Sequence, residues 1–366
     1  MKALLLSPYP SSAPSNRNRL DQYLPYLRSQ GIDVSVDCLQ DEDTFRSRGG
    51  RHAMGVLRGS FRRLAMALRP QRFDTILVHR EALPLPTALL ETMLRQRAGR
   101  VVFDFDDAIY LPQPYPTSQV ASWLRSPKKF RAMVASADLT IAGNGHLAER
   151  AMTYSSNVMV IPTPVDTDRI YPASRINSPE KLVIGWIGSA STAHYLADIA
   201  RPLCDILERY PHVELAVVGA ALPKELRRAR VHTRPWTLER EAQDLSSFDI
   251  GIMPLPDNEW TRGKCAYKAL QYMAAGVATV SSAVGATLEL VRHGDNGLLA
   301  RSEREWVICL ARLIEDGALR KNLGEAGRQT VDQHYSVRVW APEFAAGLIG
   351  RGLALRPATR AARPTS

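Results

Sequence analysis

At 366 residues, with 45% hydrophobic and 23% charged residues, the chain is long enough for two globular cores and too apolar to be disordered. A formal charge of +10 calls for an anionic partner, and by itself it leaves nucleic acid, anionic lipid and phosphorylated small molecules open. The opening MKALLLSPYP is too short in apolar residues for a signal peptide, and no run approaches a membrane span, so a cytoplasmic protein is expected.

Predicted elements alternate strand with helix. In the first half the strands are KALLLSP, DVSVDCL, DTILVH, VVFDFDD, DLTIAGN and VMVIPTPVD, each followed by a longer helical pattern. That rhythm predicts an α/β fold with parallel sheets covered on both faces. Between Arg46 and Arg72 lie Arg48, Arg51, Arg58, Arg62, Arg63 and Arg69, around a helically spaced stripe of Met54, Leu57, Phe61, Leu64 and Leu68. Two readings follow: a helix packed on its own domain with solvated arginines, or one docked on an anionic membrane surface. WLRSPKKFRAM at 123–133 repeats the mixture with Trp123, Leu124 and Phe130 among Arg125, Lys128, Lys129 and Arg131.

The pattern lapses in the polar DRIYPASRINSPEK (168–181), which predicts a domain boundary there, with domains 1–170 and 171–336. The series restarts with LVIGWIGS, VELAVVG, DIGIMPLP and VATVSSAVG. In IGWIGSASTAHYL, Gly185 and Gly188 permit close backbone approach, while Ser189, Ser191 and Thr192 offer hydroxyls for a phosphate or for ordinary capping of a helix from Ala193. RGKCAYKALQYMAAG predicts a helix over 264–275, with Lys264, Lys268 and Gln271 on one stripe and Ala266, Ala269, Leu270 and Met273 on the buried one. Like charges four residues apart repel by about 0.2–0.5 kcal/mol, so a solvated basic face stays open. Arg262, Lys264 and Lys268 at a helix N-terminus equally suit a bound anion. The scattered Cys38, Cys204, Cys265 and Cys309 predict reduced thiols, with neither disulfide nor metal site. A final helix (337–350) is expected to pack back on the N-terminal domain, followed by a frayed basic tail (351–366).

Four stretches carry a resemblance: IPTPVDTDRIYP (161–172), FDIGIMPLP (248–256), KALQYMAAGVATVSSAVGATLELVRHGDNGLLA (268–300) and EAGRQTVDQHYS (325–336). In order and spacing, roughly residues 158–340 resemble the "glycosyl transferases group 1" family of GT-B fold. The resemblance implies two doubly wound, Rossmann-like domains facing each other across a cleft. It also implies metal-independent, retaining transfer from a UDP or GDP sugar to a glycan or lipid-linked acceptor, as in polysaccharide biosynthesis. The sugar nucleotide is then a co-substrate, no cofactor is needed, and a lipid-linked acceptor brings the inner face of a membrane in as a partner.

The same resemblance assigns Arg262, Lys264 and Lys268 to the diphosphate, where negative charge builds as the leaving group departs. It places Gly188, Ser189, Ser191, Thr192, Trp236, Pro254, Leu255, Asn258 and Gln271 along the donor. Arg17, Asn18, Arg19 and His146 fall on the acceptor side, and Asp106 and Asp107, at the end of a strand after Asp104, fall where an acceptor hydroxyl arrives. The chain departs from the family where two glutamates eight positions apart are usual: it has Gly263 and Gln271. GSASTAHY also lacks the Arg and Lys that commonly hold the diphosphate. A catalytically inactive GT-B-like binding protein and a GT-B sugar-nucleotide epimerase remain alternatives. A metal-binding reading of Asp104-Phe105-Asp106 conflicts with the two-halved series, and the Arg46–Arg72 stretch lacks the interleaved aromatics of a nucleic-acid platform.

Overall fold

Near-continuous apolar runs such as LLLS and ILVH in one sheet and LVIGWI in the other can be buried on both faces at once, and such runs form the parallel strands of two separate sheets. The computed structural model describes residues 1–69, 72–112, 126–173, 181–226 and 230–350. The chain divides into two units, one holding residues 1–164, 263–265 and the helix Val337–Ile349, the other residues 165–262 and 266–336.

In the first unit, β1 (Lys2–Ser7), β2 (Asp33–Cys38), β3 (Phe73–His79), β4 (Ala98–Phe105), β5 (Leu139–Ala142) and β6 (Val158–Val160) run parallel in the order β2-β1-β3-β4-β5-β6. The order reverses between β1 and β3, where strand carboxyl ends present loops for binding. Helix Val337–Ile349 belongs here because its apolar face completes this core: Phe344 stacks on Tyr23 with ring centroids 4.2 Å apart, and Thr75 Oγ1 donates to the Leu348 carbonyl at 2.8 Å. The tail at 351–366 lies outside the described residues.

The second unit contains β7 (Leu182–Ile187), β8 (Val213–Val218), β9 (Val231–Arg234), β10 (Ile250–Met253), β11 (Ala278–Ser282) and β12 (Leu298–Ala300), in the order β12-β11-β10-β7-β8-β9. This is the Rossmann order, with its reversal between β7 and β10. Strands β9 and β12 were not anticipated: β9 is a polar, largely exposed edge strand, and β12 has three residues, so neither carries a strong period. The first segment of the first unit ends at Pro164, ahead of the polar stretch expected to mark the boundary; residues 174–180 of that stretch lie outside the described residues.

Three local expectations are corrected. The helix read over 264–275 spans Tyr267–Ala274, because Ala266 takes the left-handed conformation (φ 52°), which an α-helix cannot run through. Ala266 is also buried, so Ala266→Val is expected to cost about 1–3 kcal/mol, read as a lower urea midpoint at unchanged slope.

Helix Gly49–Leu68 does not bury its apolar stripe. Its inward face is Gly55, Gly59, Arg63 and Ala67, and a Cβ at Gly59 would sit 2.0 Å from the Leu39 carbonyl oxygen. Arg63, expected on the solvated face, is fully buried and donates from Nε to Asp37 Oδ1 at 2.7 Å and from its terminal nitrogens to the Ser7 and Ala82 carbonyls. In the 123–133 segment, Trp123, Leu124 and Arg125 lie outside the described residues, while Phe130 and Lys129 are buried in helix Pro127–Ser136, Lys129 Nζ lying 3.0 Å from Glu81. Among the described residues of that segment, Phe130 and Lys129 face inward while Lys128 and Arg131 are exposed.

Candidate functional site

At the reversal point of the second sheet, β7 and β10 pair at Ile184–Ile250 and Gly185–Gly251. Beyond that pairing the Tyr272 hydroxyl joins the two strands, accepting from the Ile187 amide at 3.1 Å and donating to the Ile252 carbonyl at 3.2 Å. The loop after β7 opens at this point. Ser189 and Ser191 are exposed, their hydroxyls 2.8 Å apart. Thr192 does not cap the following turn as expected; its Oγ1 donates back to the Ser189 carbonyl at 3.1 Å, and residues Ala193–Ile199 form a 3-10 helix. Lys268, in the first turn of helix Tyr267–Ala274, reaches over this loop. Its ammonium lies 5.4 Å from the centroid of the Trp186 ring, and a Cβ on Gly188 would meet Lys268 Cε at 2.5 Å.

The other donor-side residues sit around the same sheet with structural partners. Trp236, half-buried just past β9, donates from Nε1 to Glu241 at 3.0 Å. Pro254 and Leu255 are buried after β10, the Leu255 amide donating to Ser282 Oγ. Asn258 caps the short helix Glu259–Arg262, its Oδ1 accepting from the Thr261 amide. Arg262 is exposed and clasps Asp257, Nε to Oδ1 at 2.7 Å. Gln271 is 5% exposed and so does not share a solvent-facing stripe with Lys268.

Lys264 belongs to the first unit, where its Nζ lies 2.7 Å from Asp107 Oδ1. Arg262, Lys264 and Lys268 therefore do not form one cationic mouth on one helix, because the left-handed Ala266 separates Lys264 from the helix that carries Lys268. Gly263, where the family usually has a glutamate, is packed so that a Cβ would lie 2.9 Å from Ala108 Cβ and 3.1 Å from its amide. The departure from the family pattern has this steric counterpart.

In the first unit, the carboxyl ends of β3 and β4 carry a chain of alternating charge. Arg19, fully buried, donates from Nε and Nη2 to Asp104, at 2.7 Å for the shortest contact, and from Nη1 to the Ile161 carbonyl at 2.7 Å. Asp104 also receives His79 Nδ1 at 2.7 Å, and His79 Nε2 lies 3.0 Å from Ser15 Oγ. Arg80 bridges Asp106 and Asp107, with Nη2 at 2.7 Å from each, and holds φ at 62° to do so. Burial pushes the Asp104 and Asp106 carboxyls up, yet the neighbouring Arg19, Arg80 and His79 together outweigh it and hold both below the usual carboxylate range. Burial likewise pushes the Cys265 thiol up to about 12, so it is inert beside the Asp106 carbonyl it contacts.

Of the acceptor-side expectations, Asp106 and Asp107 stand at the strand end as read, half-buried and ion-paired. Arg19 is corrected: it is sealed inside the unit on Asp104 and cannot meet an acceptor. Asn18 is buried as well, while Arg17 donates to the Ser12 carbonyl and His146 is half-buried at the start of helix Gly145–Met152. His79 and Arg80 were missed. The dipeptide follows DTILV with a histidine at a strand end beside the sheet's reversal point, which is the signal the sequence carries for it.

Residues 181–316 match the family described as Glycosyl transferases group 1. No curated protein matches the chain. Among solved structures, sucrose-phosphate synthase from Thermosynechococcus elongatus is 15% identical with a TM-score of 0.71, covering 94% of this chain and 97% of its own. HepE of Anabaena, in complex with UDP and glucose, is 17% identical with a TM-score of 0.66, covering 96% and 100%. A glycosyltransferase from Rickettsia africae is 12% identical with a TM-score of 0.68, covering 96% and 99%. At these identities the likeness is one of fold, two Rossmann-like units in the GT-B pattern.

Proposed function

The chain carries a glycosyl transferases group 1 domain on the GT-B fold, and from that premise we propose that it transfers a sugar from a nucleoside diphosphate sugar to an acceptor hydroxyl. The supporting observation is the Lys268 side chain packed against Gly188 at the sheet's reversal point, with its ammonium over the Trp186 ring, beside a loop that carries the exposed Ser189 and Ser191 hydroxyls. A departing nucleoside diphosphate gains negative charge, and a cation and hydroxyl donors positioned there stabilise the transition state more than the ground state. UDP, the nucleotide in the HepE complex, is the first candidate and GDP the second.

The finer reading is transfer with retention, onto a glycan or lipid-linked glycan, in the cytoplasm or at the inner face of a membrane. Among the described residues, no helix is long and apolar enough to cross a membrane. On the acceptor side, Asp106 and Asp107, both ion-paired with Arg80, can accept hydrogen bonds from sugar hydroxyls. Metal independence is favoured because Asp104 and Asp106, the carboxylates a metal-bound diphosphate would need, are already held by Arg19, His79 and Arg80.

A ligand that selects the folded state raises its melting temperature. UDP or GDP is therefore expected to raise it, equally with and without a chelator, and labelled sugar should pass from the matching sugar nucleotide to an added glycan. Unchanged melting with every nucleoside diphosphate would overturn the donor assignment; label scrambling without acceptor would reassign the chain to epimerisation.

A further inference from the structure

We propose that the outward face of helix Gly49–Leu68 is a docking surface for an anionic lipid bilayer. Met54, Leu57, Phe61 and Leu68 are 60%, 49%, 64% and 67% exposed, and their spacing puts them on one side of the helix. An amphipathic helix normally turns such a stripe inward. Here it cannot, because the glycines at 55 and 59 and the buried Arg63 fasten the opposite side to the unit: a Cβ at Gly55 would fall 2.0 Å from Thr44 Oγ1. The orientation of the stripe is thus a property of the packing.

Charge names the occupant. The sequence of this helix, GGRHAMGVLRGSFRRLAMAL, contains no carboxylate, and the exposed Arg51 and Arg58 border the apolar stripe along its length. A row of cations beside an apolar ridge matches an interface with anionic headgroups above and acyl chains beneath. A nucleic acid would leave the ridge against phosphates. A second copy related by a two-fold axis would set arginine against arginine. The surface lies on the first unit and makes no use of Lys268 or the β7 loop, so it stands whether or not the donor assignment does.

The test is co-sedimentation of the full chain with phosphatidylglycerol-containing vesicles and with pure phosphatidylcholine vesicles. Binding is expected to the first, with release at high salt as the charges are screened. Phe61→Ser and the pair Arg51→Glu with Arg58→Glu are each expected to weaken it by about tenfold or more, with circular dichroism and nucleotide-induced melting shifts unchanged. Equal binding to both vesicle types, no binding, or variants that bind as the parent does would overturn the proposal. So would a dimer or a duplex-DNA complex abolished by Phe61→Ser in place of vesicle binding.

Discussion

Lys268→Ala is expected to lower turnover by about 10²–10³ and to abolish the melting shift produced by nucleoside diphosphates. The size follows from removing a positioned cation from the place where charge develops on a leaving diphosphate. Gly188→Ala supplies a second check, because the new methyl would meet Lys268 Cε at 2.5 Å and the Trp186 ring at 2.7 Å, disturbing the seat of the lysine without changing any charge. Both variants should lose the same function, and Gly188→Ala is expected in addition to cost about 1–3 kcal/mol of stability, read from a lower urea midpoint, because its methyl also crowds the buried Trp186 ring. Lys264→Ala is expected to behave differently. Its ammonium is committed to Asp107 in the first unit, so the nucleotide-induced shift should survive the substitution. A melting shift that persists in Lys268→Ala and vanishes in Lys264→Ala would refute the assignment of the diphosphate to Lys268.

Arg19→Ala is expected to destabilise the protein by about 3–5 kcal/mol, because it leaves the fully buried Asp104 carboxylate without its guanidinium. Acid should narrow the difference. In the parent, Asp104 titrates below its unfolded value, so its contribution is present above that value and is lost as pH falls through the folded one. Without Arg19, burial is opposed at Asp104 by His79 alone, so the carboxylate is held less firmly and protonation costs the variant less than it costs the parent. Urea midpoints of the two proteins at neutral and acidic pH read this directly; a gap that widens on acidification would contradict it. Replacing Arg19 and Asp104 together by apolar residues should restore part of the lost stability, since no charge is then stranded.

The alternation of strands and helices was legible because burial on both faces forces near-continuous apolar runs, as in β1, β3 and β7. The short polar β9 and β12 escaped notice because their strand geometry is supplied by a neighbour: β9 is aligned by β8 and β12 by β11. At the candidate site, Gly188, Ser189 and Lys268 were found from their types and spacing. The partner of Lys264 was not, since Asp107 is remote in the chain, and that of Arg262 depends on the turn that brings Asp257 beside the end of the short helix Glu259–Arg262.

Composition and pattern alone thus determined an α/β chain of two halves, a basic character, and a glycine- and serine-rich turn after a strand, because these follow from local periodicity and residue chemistry. The tertiary structure decided what faces where. It sealed Arg19 and Arg63 inside, divided Lys264 from Lys268 at a left-handed Ala266, and turned Met54, Leu57 and Phe61 outward. For helix Gly49–Leu68 the physical reason is that an amphipathic sequence has two sides, and only the shape of the surface it lies against, here set at Gly55, Gly59 and the Leu39 carbonyl, selects the side that is buried; for Arg19 and Lys264 it is that their carboxylate partners are remote in the chain.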